Sequence, residues 1–276
     1  MRGVPSLRAL CGFAACAACA AGAPFAVSGG ARARSGNERA GVLIPSSPRE
    51  VLPLEGHTIH STNWSGYAVI SKRHRITAVT GSFVVPKVTG TAPFGFAATW
   101  MGVGGYNTRD LIQAGTAEDS NSGGLYGKQY FAWYELLPAG ERQLHKCIGD
   151  PKCRVRPGNR ISVAVREVGG NRWMISMTNS GHWHWSKSVS YSSSRSSAEW
   201  ILEAPSIGSA QTNLAPVGTV HFGPTSRYTA AGAGHVIAGG HPVKIILTHE
   251  AKPSALAPDG QSFNDCAYRR SACPRP

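Results

Sequence analysis

The chain has 276 residues, 33 of them Gly and 18 Pro, punctuation too frequent for a helical protein and suited to many short strands. Its formal net charge of +13 invites a polyanion partner. The cations stand scattered, however (Lys72, Arg73, Arg75, Arg154, Arg156, Arg269, Arg270), without the interleaved aromatics of a stacking platform, so no nucleic-acid partner is expected.

Residues 1–27 read as an export signal. Arg2 and Arg8 flank the start, the short apolar run ALCGFAACAACAAGA follows, and small residues at A-x-A spacing close it. The run is too short for a membrane span, so no stable membrane insertion is expected and the protein is placed outside the cell. Residues 28–60, rich in Arg, Ser, Gly and Pro, read as a pro-segment or linker. Of 7 cysteines, Cys11, Cys16 and Cys19 fall in the leader, which leaves Cys147, Cys153, Cys266 and Cys273. Three pairings are open. The local ones, Cys147–Cys153 and Cys266–Cys273, are favoured because each closes a short loop in a polar segment. No C-x-x-C pair exists among the four, so a zinc site is a poor fit and no metal is expected.

From Asn63 strand candidates recur between turn residues. GSFVVPKV (81–88) runs into Pro86, FAATWMGVGG (96–105) stops at two glycines, DLIQAGT (110–116) is brief, and YFAWYELLP (130–138) stops at Pro138. RISVAVREVGG (160–170) alternates cleanly, with Ile161, Val163 and Val165 on one face and Ser162, Ala164 and Arg166 on the other. NRWMISMTN, SKSVSYSS, AEWILEAP and HPVKIILTHE continue the series. Period-2 patterning at this spacing predicts an all-β sandwich or barrel of antiparallel strands. No G-x-G-x-x-G or P-loop pattern follows any of them, so nucleotide binding has no support.

The candidate site residues come from strand parity. On SAEWILEAP (197–205), Trp200, Leu202 and Ala204 share one face, and Glu199, Ile201 and Glu203 the other. The first set suits a core between sheets, so Glu199 projects from the opposite side. On YFAWYELLP, Phe131, Trp133, Glu135 and Leu137 share a face, and Trp100 falls opposite Thr99 and Met101. A sheet face displaying aromatics with a few polar groups describes the lining of a substrate groove. No G-x-S-x-G elbow, H-E-x-x-H or aspartic-protease signature is present. His182 and His184 in GHWHW could chelate at i, i+2, but no third ligand can be named, and they read as polar residues of a half-exposed strand.

Several segments together resemble the glutamic peptidases, the eqolisins. They are NWSGY (63–67), VTGSFVVPKV (79–88), TWMGVGG (99–105), LIQAGT (111–116), YFAWYELLP, AEWILEAP and KPSALAPDGQSF (252–263), in the family's order over residues 61–264. The resemblance implies a two-sheet antiparallel β-sandwich, concanavalin- or lectin-like, with a concave face as the groove. Residues 61–264 would form this domain and 265–276 a C-terminal tail. It implies an endopeptidase working in acid on polypeptides, without metal or cofactor, and a monomer is expected. Its catalytic pair maps onto Gln113 and Glu199. Trp64, Trp100 and Glu135 match positions close to the groove and are carried as substrate-binding residues. Two departures stand out: Gly104 where fungal members carry Asp, and Phe131 where they carry a polar residue. Both bear on substrate preference and pH optimum.

The chemistry stands apart from the family. Glu199 can take a proton from water and return it to the leaving nitrogen. Gln113 can donate an amide N–H where negative charge develops, and its carbonyl can hold the water. A free Glu titrates at about 4.3, so acid operation is natural unless burial raises it. Two other readings use the same face. A glycoside hydrolase would pair Glu135 with Glu199 and leave Gln113 unexplained. A carbohydrate- or protein-binding sandwich would use the Trp/Glu face for recognition alone.

Overall fold

The computed structural model describes residues 58–71, 75–90, 95–120, 127–207 and 210–276. The export signal expected at 1–27 and all but the end of the 28–60 segment lie outside the described residues. In chain order the strands are β1 (Thr58–Ser61), β2 (Trp64–Ile70), β3 (Ile76–Val84), the short β4 (Gly95–Phe96), β5 (Ala98–Gly104), β6 (Leu111–Asp119), β7 (Gln129–Leu136) and β8 (Ala139–Gln143). Next come β9 (Arg160–Gly169), β10 (Arg172–Asn179), β11 (Trp183–Ser190), β12 (Ser197–Glu203), and the short β13 (Ser206–Ile207), β14 (Ala210–Gln211) and β15 (Asn213–Leu214). The series closes with β16 (Thr219–Phe222), β17 (Arg227–Ala230), β18 (Ala233–Val236), β19 (Val243–Leu247), β20 (Ala251–Pro253) and β21 (Phe263–Ala267).

Pairing arranges 17 of these strands as two sheets, while β13–β14 and β15–β4 form separate two-stranded ribbons. The first runs β8–β7–β6–β5–β12–β2–β19–β1, antiparallel throughout except for the parallel β19–β1 pair at its edge. The second runs β11–β10–β9–β3. Beyond β3 it divides, one half continuing through β17 and β18 and the other through β16, β21 and β20. Strand β20 also touches β19, which joins the two sheets at one corner. The predicted antiparallel sandwich is therefore the observed fold.

The core follows from the alternation. Ile161, Val163 and Val165 of β9 and Trp173, Ile175 and Met177 of β10 are buried, while Ser162, Ala164 and Arg166 face outward or lie partly open. Trp200 is fully buried in this core, and its indole Nε1 donates to the Thr80 carbonyl at 2.8 Å across the two sheets. Burying an aromatic of this size contributes on the order of 4–6 kcal/mol at about 25 cal/mol per Å². Gly81 makes the room: a Cβ there would stand 2.6 Å from Met101 Cε and 3.1 Å from the Trp200 ring. Both predicted disulfides are present, Cys147–Cys153 and Cys266–Cys273.

Several boundaries differ from the sequence reading. Strand β1 begins at Thr58, inside the segment read as linker, because its backbone pairs with β19 from Thr58↔Lys244 onward. Strand β21 crosses the boundary drawn at residue 264 and hydrogen-bonds to β16 and β20. The residues read as a tail are fastened by the Cys266–Cys273 bridge and by Asn264 Nδ2 donating to the Pro274 carbonyl at 3.0 Å. Strand β3 starts at Ile76 and ends at Val84, two residues before Pro86, whose missing N–H cannot extend the ladder. Strand β11 starts at Trp183, so His184 stands on it, exposed, with exposed His182 in the preceding turn.

Candidate active site

Strands β2, β12, β5 and β6 are buried on both faces. One face belongs to the core between the sheets. The other carries a second apolar cluster that includes Trp64, Trp100, Trp133, Phe131 and Ile201, with partly buried Ile59, Ile70, Tyr106 and Leu137 packed along it. Register decides what else stands there. Glu199 pairs with Gly102 on β5, Gly102 pairs with Gln113 on β6, and Gln113 pairs with Glu135 on β7. Directly paired residues point to the same side of a sheet. Glu199, Gln113 and Glu135 therefore form one row, with a glycine between the first two.

That glycine sets the geometry. Glu199 and Gln113 are two strand spacings apart, about 9–10 Å at Cα, with no side chain between them. A Cβ at residue 102 would stand 2.8 Å from Leu111 Cδ1 and 3.1 Å from Gln113 Cβ. A bare position 102 leaves the space between the two side chains open. One row along, Trp100 pairs with Gly115, and a Cβ on Gly115 would stand 2.6 Å from Trp100 Cβ.

Hydrogen bonds fix some of these groups and leave others open. Gln113 Nε2 donates to Glu135 Oε2 at 2.6 Å. Trp100 Nε1 donates to Glu203 Oε2 at 2.7 Å, and Asn63 Nδ2 to Glu203 Oε1 at 3.4 Å. Trp64 meets Trp100 edge to face, with ring centroids 5.0 Å apart. Glu203, which shares the Glu199 face by parity, thus serves as the anchor of Trp100. Gln113 Oε1, Glu135 Oε1, Trp64 Nε1, Trp133 Nε1 and both Glu199 carboxyl oxygens are buried and find no partner of hydrogen-bond geometry among the described residues.

The electrostatics follow from burial. Glu135 is pushed up to about 9, first by desolvation and then by the charges of Glu203 and Glu141, against the Gln113 hydrogen bond that lowers it. It is a neutral acid across the acid range. Desolvation lifts Glu199 well above the ordinary carboxylate range; the Asp110 charge adds to this, and the Ser197 hydroxyl and Tyr106 backbone N–H, which approach the carboxyl, offset part of it. Sequence reasoning assigned no role to Glu203, Trp133, Tyr106, Gly102 or Asp110. Parity could have found Glu203 and Trp133. Tyr106, Gly102 and Asp110 needed the register and the path of the β5–β6 turn.

A two-sheet sandwich whose second buried face aligns a glutamate, a glutamine and a second glutamate among tryptophans is the architecture of a glutamic peptidase. The Peptidase A4 family model matches residues 62–262, and the chain belongs to that family. It is 27% identical to Aspergillopepsin-2 of Aspergillus niger over 209 residues, 65% of this chain and 69% of that one. Among solved structures it is similar to Scytalido-glutamic peptidase with a peptide-based transition state analog, at 20% identity and a TM-score of 0.59, over 75% of this chain and 98% of that one. It is also similar to SCP-B, a member of the Eqolisin family of peptidases in complex with the tripeptide Ala-Ile-His, at 20% identity and a TM-score of 0.57, over the same shares.

Proposed function

We propose that this chain is a secreted endopeptidase in which Glu199 moves the proton and Gln113 steadies the oxyanion. The observation that carries the reading is the row of buried polar atoms with no partner of full hydrogen-bond geometry. Native proteins rarely leave such atoms unpaired, and each costs about 1–3 kcal/mol. Here they cluster on one face, from Glu199 through Gln113 to Glu135, with Trp64 and Trp133 beside them. A bound peptide and one water would complete them.

In this reading a water sits between Glu199 and Gln113 over the bare backbone of Gly102. Glu199 takes its proton as the oxygen attacks the peptide carbonyl, then delivers that proton to the leaving nitrogen. Gln113 Nε2 has one N–H committed to Glu135 and a second to offer the developing oxyanion, while Gln113 Oε1 accepts from the water. Glu135, a neutral acid here, holds the amide in orientation without placing a second charge beside Glu199. Trp64 and Trp100 line the substrate path, Trp100 held by Glu203. Secretion is proposed from the leader pattern, and the two disulfides accord with an oxidising compartment.

The glycoside hydrolase reading fits less well. Gln113 stands between Glu135 and Glu199 in the row and hydrogen-bonds Glu135, and a carboxylate pair acting on a sugar leaves it without a role. The deciding experiment is digestion of an unfolded protein by purified wild type and Glu199→Gln across the acid-to-neutral range. Cleavage by the wild type and a loss of at least about 10²–10⁴-fold in the variant is expected. A folded Glu199→Gln that still cleaves sinks the assignment.

A further inference from the structure

We propose that Asp110 is a positioning residue for Glu199. From the β5–β6 turn its carboxylate fills the space at Gly104, ties the turn to the entry of β12, and sets the pH at which Glu199 gives up its proton. The inference rests on the reading of Glu199 as the proton carrier.

The geometry begins at Gly104. It ends β5 with φ 86°, two residues beyond Gly102 and so on the same face as Glu199. A Cβ at Gly104 would stand 2.7 Å from Asp110 Oδ2, 2.9 Å from the Asp110 carbonyl oxygen and 3.4 Å from Ser193 Oγ. The space a side chain at 104 would take is thus filled by the carboxylate of a residue across the hairpin. That carboxylate is held firmly: the Ser194 backbone N–H donates to Oδ2 at 2.6 Å and the Ser193 hydroxyl at 3.3 Å. Ser193 and Ser194 lie in the segment that leads directly into β12, which carries Glu199.

Asp110 therefore ties two pieces of chain together, the β5–β6 turn and the entry to β12. Within the turn, Gly105 N–H donates to Thr108 Oγ1 at 2.8 Å and the Thr108 hydroxyl to the Asp110 carbonyl at 3.3 Å. At the other end Leu111 N–H donates to the Tyr191 hydroxyl at 2.7 Å. The turn so fixed carries Tyr106, whose backbone N–H approaches the Glu199 carboxyl and whose ring packs on the apolar cluster beside it.

Each element packed around Glu199 contributes a neighbour. Strand β2 offers Ala68, β5 offers Gly102 and β6 the neutral Gln113. Strand β7 offers Glu135 and β12 itself Glu203, and these two act on each other. The turn offers the Tyr106 phenol and Asp110. Among the described residues Asp110 is the carboxylate that acts on Glu199, and a like charge near a buried group disfavours ionisation.

The test is the titration of Glu199 itself in the folded full-length protein. Carboxyl-¹³C-glutamate NMR reads it, with the Glu199 resonance identified by its absence in Glu199→Gln. The pH profile of kcat/KM is measured alongside. Asp110→Asn keeps an acceptor for Ser194 N–H and removes the charge. It is expected to lower the Glu199 midpoint by about one pH unit and to move the acid limb of kcat/KM down with it. Should Asp110→Asn fail to fold, Asp110→Ser keeps a short acceptor and must show the same shift. A midpoint and limb unmoved, or a loss of kcat with no shift, overturns the proposal in favour of a purely structural tether. If Glu199→Gln proves active, the peptidase mechanism fails instead, and the NMR titration still reads the Asp110–Glu199 coupling.

Discussion

Strands β5, β6 and β12 show two buried faces built on opposite terms. On the core side stand Met101, Val103, Ile112, Ala114, Trp200 and Leu202, apolar and close-packed, with the Trp200 indole satisfied by Thr80. On the other side stand Glu199, Gln113 and, from β7, Glu135, equally buried, yet with polar atoms left open. Neighbouring residues one position apart, Glu199 and Trp200, thus do contrary work. The core face stabilises by burying apolar area. The opposite face buries polar atoms without full partners, at a cost in stability. Buried polar atoms without partners occur elsewhere too, as at Asp265 Oδ2, but Glu199, Gln113 and Glu135 gather them in one row.

Substitutions at adjacent positions should separate the two faces. Trp200→Ala is expected to cost about 3–5 kcal/mol of unfolding free energy, read by denaturant melts, whereas Glu199→Gln leaves stability unchanged or higher. A large loss of stability in Glu199→Gln would erase the distinction. Gln113→Ala should lower kcat by about 10²–10³-fold while the fold persists, checked by single-turnover cleavage beside circular dichroism. A glycosidase or binder would show no such loss in peptide cleavage.

Glu203→Ala should raise KM more than it lowers kcat. It orphans the buried Trp100 N–H at a cost of about 1–3 kcal/mol, and Trp100 loses its position on the substrate path. Steady-state kinetics would settle this, and an unchanged KM would remove Trp100 from the site.

A further effect is a slope in stability with pH. Burial holds Glu135 at about 9 and Asp265, on the core side beside Ser65, at about 8, while unfolded carboxyls titrate near ~4. The folded state keeps protons that the unfolded state releases. The stability these groups contribute is therefore fully present below about pH 4 and is lost as pH rises through about 8 and 9. The melting temperature should be highest in acid and fall toward alkali, and Asp265→Asn should flatten the fall up to about 8. A melting temperature that climbs between acid and neutral pH would contradict these assignments.

The same physics bears on the working pH. A lone exposed glutamate would titrate near ~4.3, but Glu199 is buried and desolvation lifts its carboxyl. The acid limb of kcat/KM is expected above the ~4.3 of a free side chain. In Asp110→Asn the limb moves back toward it.

Much of this was legible from residue order. Period-2 alternation placed Ile161, Val163 and Val165 inward and put Trp200 and Glu199 on opposite sides, because side-chain direction along a strand is a local property. Prolines and glycines marked strand ends for similarly local reasons, as at Val84 before Pro86. The cysteine spacing singled out both bridges, since short loops close at little entropic cost. Local order also named the residues of the row, but not that they form one. Glu199, Gly102, Gln113 and Glu135 come from four strands whose sequence neighbours are not all their spatial neighbours, and β12 inserts between β2 and β5 from nearly a hundred residues away in the chain. Only that long-range pairing put a bare glycine between Glu199 and Gln113, an aspartate into the space at Gly104, and deep burial around Glu199. Register and burial arise from the packed fold as a whole, and no stretch of sequence carries them alone.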